Sequence, residues 1–174
     1  YQFINSDIFA QAYARYLVGL SDVALPDNHY AAPLYGFLMK SLDLIEEKID
    51  MVVVTFIFEL QVMSRFGAQL DFGQCVFCHR KDLPMDFSYK FNGCLCRNHF
   101  DEDMKRSHVD PNVIFLCQSF MAMDLEKLPS INLSDDLKKK IRVFIDALYD
   151  HYIGVQIKAK KFIDGLDGWA DIMK

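Results

Sequence analysis

Four of the chain's five cysteines and two of its five histidines fall between Cys75 and His99, in a segment reading CVFCHRKDLPMDFSYKFNGCLCRNH that is too polar to be core. Cys75-x-x-Cys78 sets two thiolates on one tight turn, and a second half-site at Cys96-x-x-His99 can complete a tetrahedron around Zn²⁺. Cys75, Cys78, Cys96 and His99 are therefore the expected ligands. Cys94 competes for the third place, since it lies two residues from Cys96 and would point the same way on a short strand. Cys96 is preferred because its x-x spacing to His99 repeats the Cys75 to Cys78 knuckle, with Gly93 supplying a permissive backbone just before it. His79 would have to share a turn with Cys78. The alternatives are a metal-free loop of reduced cysteines or a redox Cys-x-x-Cys, and the redox form needs a βαβ context that is missing here. Four protein ligands close a site, which makes this zinc structural rather than catalytic.

The rest of the 174 residues, 52% of the chain being apolar, is long enough for one substantial core and short for two, so the expectation is a single helical domain over 1–174 with the knuckle at 72–100. The chain opens on Tyr1 and runs straight into helical pattern, as a fragment or processed chain would. The longest apolar run, Met51 to Phe58, is far short of a membrane span. An odd cysteine number in metal-like spacing suits a reducing, cytoplasmic setting, where Asn132-Leu133-Ser134 reads as a helix cap rather than a glycosylation acceptor. A net charge of −5 excludes a general nucleic-acid-coating domain, so any DNA contact must be local.

Along the chain, Ile8, Phe9, Ala12, Tyr13, Tyr16, Leu17 and Leu20 recur at helical spacing, with Asn5 or Ser6 as cap and Gly19 near the end. Asp22 to His29 is a loop, and a second helix is expected over about Tyr30 to Glu47. Ile49 to Phe66 is apolar nearly all round, which predicts a buried central helix stopped by Gly67, although the β-branched Val52 to Thr55 also suits a strand. Glu59 in that run must be paired or hydrogen-bonded; a tethering role is favoured over catalysis. Asp110-Pro111 reads as N-cap and first residue of another helix with Cys117 on its apolar face, and Ser134 caps a long helix ended or kinked by Gly154. The tail from Val155 to Leu166 is basic and amphipathic, either a solvated face or a docking surface for an acidic partner. The fold class is mainly α, a helical bundle with a small zinc-ribbon-like knuckle insertion.

Several pieces fall in the order found in one family: Ala12-Tyr13 with Tyr16-Leu17, Phe58-Glu59-Leu60 ahead of Phe66-Gly67, Cys75-x-x-Cys78, Phe87-Ser88, Gly93 with Leu95-Cys96, and His151-Tyr152-Ile153-Gly154 with Ile157-Lys158-Ala159. Taken as an ordered set covering nearly the whole chain, they resemble the C-terminal part of RecO, the bacterial recombination mediator. Two departures stand out. Where the family usually carries a second Cys-x-x-Cys, the last ligand here is His99, which is equivalent for zinc. The N-terminal oligonucleotide-binding barrel of the family is not within these residues.

The resemblance implies a non-enzymatic, nucleoid-associated role: docking single-strand-binding protein (SSB) and RecR, aiding recombinase loading on single-stranded DNA, and annealing strands. The residues agree in lacking a phosphate-cradling Gly-rich loop, Gly-x-Ser-x-Gly, His-Glu-x-x-His and the His-x-Glu of zinc deaminases. A zinc-stapled interaction or transcription-related module is the competing reading. An SSB tail is short, acidic and ends in an aromatic, so its receptor needs an apolar pocket rimmed by cations. Lys158, Lys161 and Phe162, beside Ile157 and with Tyr149 and Tyr152 as a wall, fit that need. Arg97, Lys105 and Arg106 are assigned to DNA phosphates.

Overall fold

The computed structural model describes residues 1–25, 31–154 and 158–172, with side chains to 165. Its helices are α1 (Gln2–Ser6), α2 (Ile8–Val23), α3 (Ala32–Glu46), α4 (Met51–Val62), α5 (Pro111–Met121), α6 (Asp135–Tyr152) and α7 (Lys158–Ile172). Between α4 and α5 lie two short strands, β1 (Met85–Ser88) and β2 (Gly93–Cys96). The chain is thus mainly α, with the knuckle inserted into a helical bundle.

The centre is α4, which packs against α2, α3, α5 and α6. Every residue from Val53 to Leu60 is buried, so the all-round apolar pattern describes a helix enclosed on all sides. The β-branched run does not divert it to strand. Asp50 caps its first turn by accepting from the Val52 and Val53 amides, and the Thr55 hydroxyl donates to the Met51 carbonyl instead of competing with the helix. A 3₁₀ turn over Met63–Phe66 follows, and Gly67 at φ 84° terminates it, a left-handed conformation that glycine adopts without Cβ strain.

Local signals place the other ends. The Asp110 carboxylate accepts from the Asn112 amide ahead of Pro111, and Ser134 Oγ accepts from the Leu137 amide at the start of α6. Gly154 at φ 67° follows the end of α6. The first helix differs from expectation. Gln2–Ser6 forms a turn of its own, held by Glu46, whose two oxygens accept from the Phe3 and Ile4 amides at 3.0 Å. Asp7, extended at φ −112°, then caps α2 through the Ala10 amide in place of Asn5 or Ser6, and the helix runs through Gly19 to Val23. The loop expected from Asp22 begins only after Val23, and its residues 26–30 lie outside the described part.

Buried apolar side chains from Ile4 to Ile163 form one contiguous cluster. Cys94 and Cys117 belong to it, whereas the buried Cys75, Leu95 and Cys96 do not. α7 joins the bundle against α2, with Ile163 turned inward. Among the described residues no helix is long and apolar enough to cross a membrane.

Candidate metal centre

Residues 85–96 form a hairpin with β1 and β2 antiparallel, Met85 facing Cys96 and Ser88 facing Gly93. Asn92, at φ 51°, turns the chain. The Cys-x-x-Cys segment is laid along β2 by a bridge from Cys75 to Cys94, in which the Val76 amide donates to the Cys94 carbonyl at 2.9 Å. This close approach explains Gly93: a Cβ there would stand 2.5 Å from Val76 Cγ1. The turn itself closes with the His79 amide donating to the Cys75 carbonyl, and His79 takes φ 57°.

The fold brings Cys75, Cys78, Cys96 and His99 together, with one donor atom from each lying within 4.8 Å of all the others. Cys78 Sγ to Cys96 Sγ is 3.7 Å, Cys75 Sγ to His99 Nδ1 is 3.6 Å and Cys96 Sγ to His99 Nδ1 is 3.4 Å. Arms of about 2.3 Å to sulfur and about 2.0 Å to nitrogen give tetrahedral edges of about 3.8 Å between sulfurs and about 3.5 Å between sulfur and nitrogen. The three separations match those edges, so the cluster can hold a metal ion.

The surroundings prepare the sulfurs for a cation. Burial pushes the Cys75 thiol up, but the Cys96, Cys78 and Phe77 amides donating to it outweigh burial and hold it at about 6. Cys96 moves the other way, raised by burial and by the sulfurs beside it although the Asn98 amide donates to it. Three sulfurs in one shell cannot share negative charge comfortably unless a cation sits among them.

Cys94 is placed differently. It lies on the same face of β2 as Cys96 but opposite Phe87, in the bundle core, where burial drives its thiol far above the ordinary range. Cys117 is likewise a buried, inert thiol, pushed up to about 12 by burial.

Beneath the hairpin sits a polar junction with no sequence motif to announce it. Asp86 on β1 is 4% exposed and accepts from the Phe87, His108 and Val109 amides and the Ser107 hydroxyl, with Arg106 Nε at 3.0 Å. Asp103 accepts from Ser88 Oγ at 2.6 Å and from the Lys105 amide at 2.9 Å. These two carboxylates fold the segment after the knuckle back against β1. Arg106 is therefore held inside the protein, with its guanidinium also 4.4 Å from the Phe100 ring, while Arg97 and Lys105 are exposed.

On α7, Lys158, Lys161 and Phe162 share an exposed side, Phe162 at 50%, and Lys160 instead pairs with Asp146 and Asp164. Ile157 lies outside the described residues. The hydroxyls of the expected wall point elsewhere, Tyr149 donating to the Glu59 carbonyl at 2.7 Å and Tyr152 to Asn92 Oδ1 at 2.9 Å. Glu59 is fully buried and closed in by Tyr16, at 2.5 Å, and by Arg142.

Comparison with known proteins finds relatives of this chain. The family model described as "Recombination protein O C terminal" matches residues 5–161. A DNA repair protein RecO from Lactococcus lactis subsp. lactis (strain IL1403) is 56% identical over 174 residues, all of this chain and 69% of the relative. One from Streptococcus thermophilus (strain ATCC BAA-491 / LMD-9) is 53% identical over 170 residues, 98% of this chain and 66% of the relative. Another, from Streptococcus mutans serotype c, is 49% identical over 171 residues, 98% of this chain and 68% of the relative. No solved structure matches.

Proposed function

This chain belongs to the RecO family, matching the model of its C-terminal part, and from that premise we propose that it acts in DNA repair and recombination as a non-catalytic docking scaffold stapled by zinc. The match across residues 5–161 carries the reading. The geometry supports it: the buried carboxylate is enclosed by Tyr16 and Arg142, and the cluster offers four protein donors, leaving a tetrahedral metal no open position for substrate.

Zinc is the metal the donors suit, three sulfurs and an imidazole in tetrahedral spacing. Cys75, Cys78, Cys96 and His99 would hold it and fix the hairpin to the Cys-x-x-Cys turn. The bundle then presents surfaces to SSB, RecR and single-stranded DNA: the Lys158, Lys161 and Phe162 side for an acidic tail, and Arg97 with Lys105 for phosphates. Arg106, already paired with Asp86, positions that segment rather than reaching outward.

Two measurements on the purified chain test this. Elemental analysis should find one zinc per chain, and fluorescence polarisation should show binding of an SSB C-terminal peptide that is lost when its terminal aromatic is removed. Absence of peptide binding by a metal-loaded, folded chain would overturn the docking role.

A further inference from the structure

The knuckle carries an aromatic surface that the metal cluster does not need. Phe77 sits between the first two ligands and is 43% exposed, with Val76 beside it at 37%. One side of its ring stacks on His99, with centroids 5.4 Å apart, inside the range of about 4.5–7 Å for aromatic pairs, and planes 19° apart. Phe91 packs against it in a T-shaped pair, centroids 5.0 Å apart and planes at 78°. The ring is thus held by a ligand and by a neighbouring ring while 43% of the residue stays exposed.

The charge of the segment that carries this ring is unlike that of the whole chain. Overall there are 19 basic against 24 acidic side chains. Between Cys75 and His99 the basic ones are Arg80, Lys81, Lys90 and Arg97, all exposed, and the sole exposed carboxylate is Asp82, which pairs with Arg80. Lys81, Lys90 and Arg97 form no ion pair among the described residues, and Lys90 Nζ stands 4.5 Å from the centroid of Phe91. An exposed aromatic held by its neighbours, on a segment that carries exposed cations, is the combination that binds a single strand: a base stacks on the ring while the phosphates meet the cations. Duplex DNA would offer phosphates alone, since its bases are already stacked.

We propose that the exposed surface of Phe77 is a base-stacking platform for single-stranded DNA, with Lys81, Lys90 and Arg97 as its phosphate contacts. The proposal rests on the DNA-repair reading above and adds a specific contact to it. A metal held by the cluster would have a second consequence here, because it would fix His99 and through it the Phe77 ring stacked on it.

The test compares the metal-loaded chain binding oligo-dT and an abasic strand of the same length at low salt. The wild-type chain should prefer oligo-dT by at least about fivefold. Phe77→Ala should erase that preference while keeping its metal, and Lys81→Glu with Arg97→Glu should weaken both strands alike. Should Phe77→Ala shed metal, Phe77→Trp decides the matter: its added fluorescence should be quenched by oligo-dT and not by the abasic strand. Equal binding of the two strands by the wild type, a preference that survives Phe77→Ala, or an unquenched Phe77→Trp overturns the stacking platform and leaves the phosphate contacts standing. Failure of both strands to bind would remove the DNA contact of this region altogether.

Discussion

The Arg142 guanidinium grips the Glu59 carboxylate with two hydrogen bonds, Nη1 to Oε2 at 2.7 Å and Nη2 to Oε1 at 3.0 Å, and so ties α6 to the middle of the buried α4. Tyr16 from α2 donates to Oε1 as well, and its own phenol is pushed well above its ordinary range by burial and by the Glu59 charge. Arg142 continues to Asp146 at 2.7 Å, so the charge train leads from the core to the surface. Three helices meet at one carboxylate.

Glu59→Gln should therefore destabilise the chain by about 3 kcal/mol, the lower end for breaking a buried pair, because Asp146 still holds Arg142. Replacing both partners, Glu59→Leu with Arg142→Met, should cost less than the sum of the single changes, since no charge is stranded. Urea denaturation of the four proteins checks this. Additive losses would mean that the pair is not coupled.

Asp103 gives a pH dependence with a definite sign. The Ser88 hydroxyl, donating at 2.6 Å, and then the Lys105 amide hold its carboxyl below the usual range against the opposing effect of burial. The folded state thus releases this proton more readily than the unfolded chain. The stabilisation is complete above the unfolded value of about 3.9 and is lost as pH falls through the lower folded value. Asp103→Asn should destabilise the chain near neutrality and flatten the acid limb of a stability profile. An acid limb as steep as that of the wild type would place the titrating carboxylate elsewhere.

How much of this was legible follows from how local each signal is. Asp110-Pro111, Ser134 and Gly67 declare helix ends through their own backbones, and the structure has ends at each. The x-x spacings of the knuckle likewise bring four donors together because each half-site is a single turn. Asp7 was passed over because Asn5 and Ser6 are equally good caps until the long-range contact from Glu46 separates α1 from α2. Glu59 announced its need for a partner, yet Arg142 is 83 residues away and only the packing of α6 on α4 selects it. Asp86 gave no warning at all. Its partners from Arg106 to Val109 come into reach only when the chain past the hairpin folds back, and an aspartate on a short strand otherwise reads as surface.

The two nearby cysteines separate cleanly by position. Cys96→Ser should release the metal, because a hydroxyl is a poor substitute for thiolate in this shell, and should loosen the hairpin while the bundle stays folded. Cys94→Ser should keep one zinc per chain and lower stability by about 1–2 kcal/mol, since it buries a hydroxyl in the core beside Phe87. Elemental analysis beside thermal melts separates the two effects. Metal lost from Cys94→Ser and kept by Cys96→Ser would exchange their roles.

The acidic tail proposed above has two candidate seats, and their chemistry differs enough to be told apart. On α7 the pair Lys158 and Lys161 is three residues apart beside the half-exposed Phe162, with Lys160 already paired with Asp146 and Asp164. Against α6 there is also a groove of about 900 Å³ lined by Tyr89, His108, Pro111, Lys140, Val143 and Phe144, where Val143 is 71% exposed. In that groove Lys140 already faces Asp110 and Asp136, so an incoming carboxylate must compete with two resident ones. Among the described residues Lys158 and Lys161 form no ion pair, and this is the reason to propose the tail there. Lys158→Glu with Lys161→Glu should then weaken an SSB C-terminal peptide by tenfold or more, on the order of 1–2 kcal/mol for two rim charges, and Phe162→Ala should add to the loss. Val143→Asp should leave peptide affinity unchanged. Fluorescence polarisation of the labelled peptide reads all three, and a loss confined to Val143→Asp would move the tail from α7 to the groove on α6.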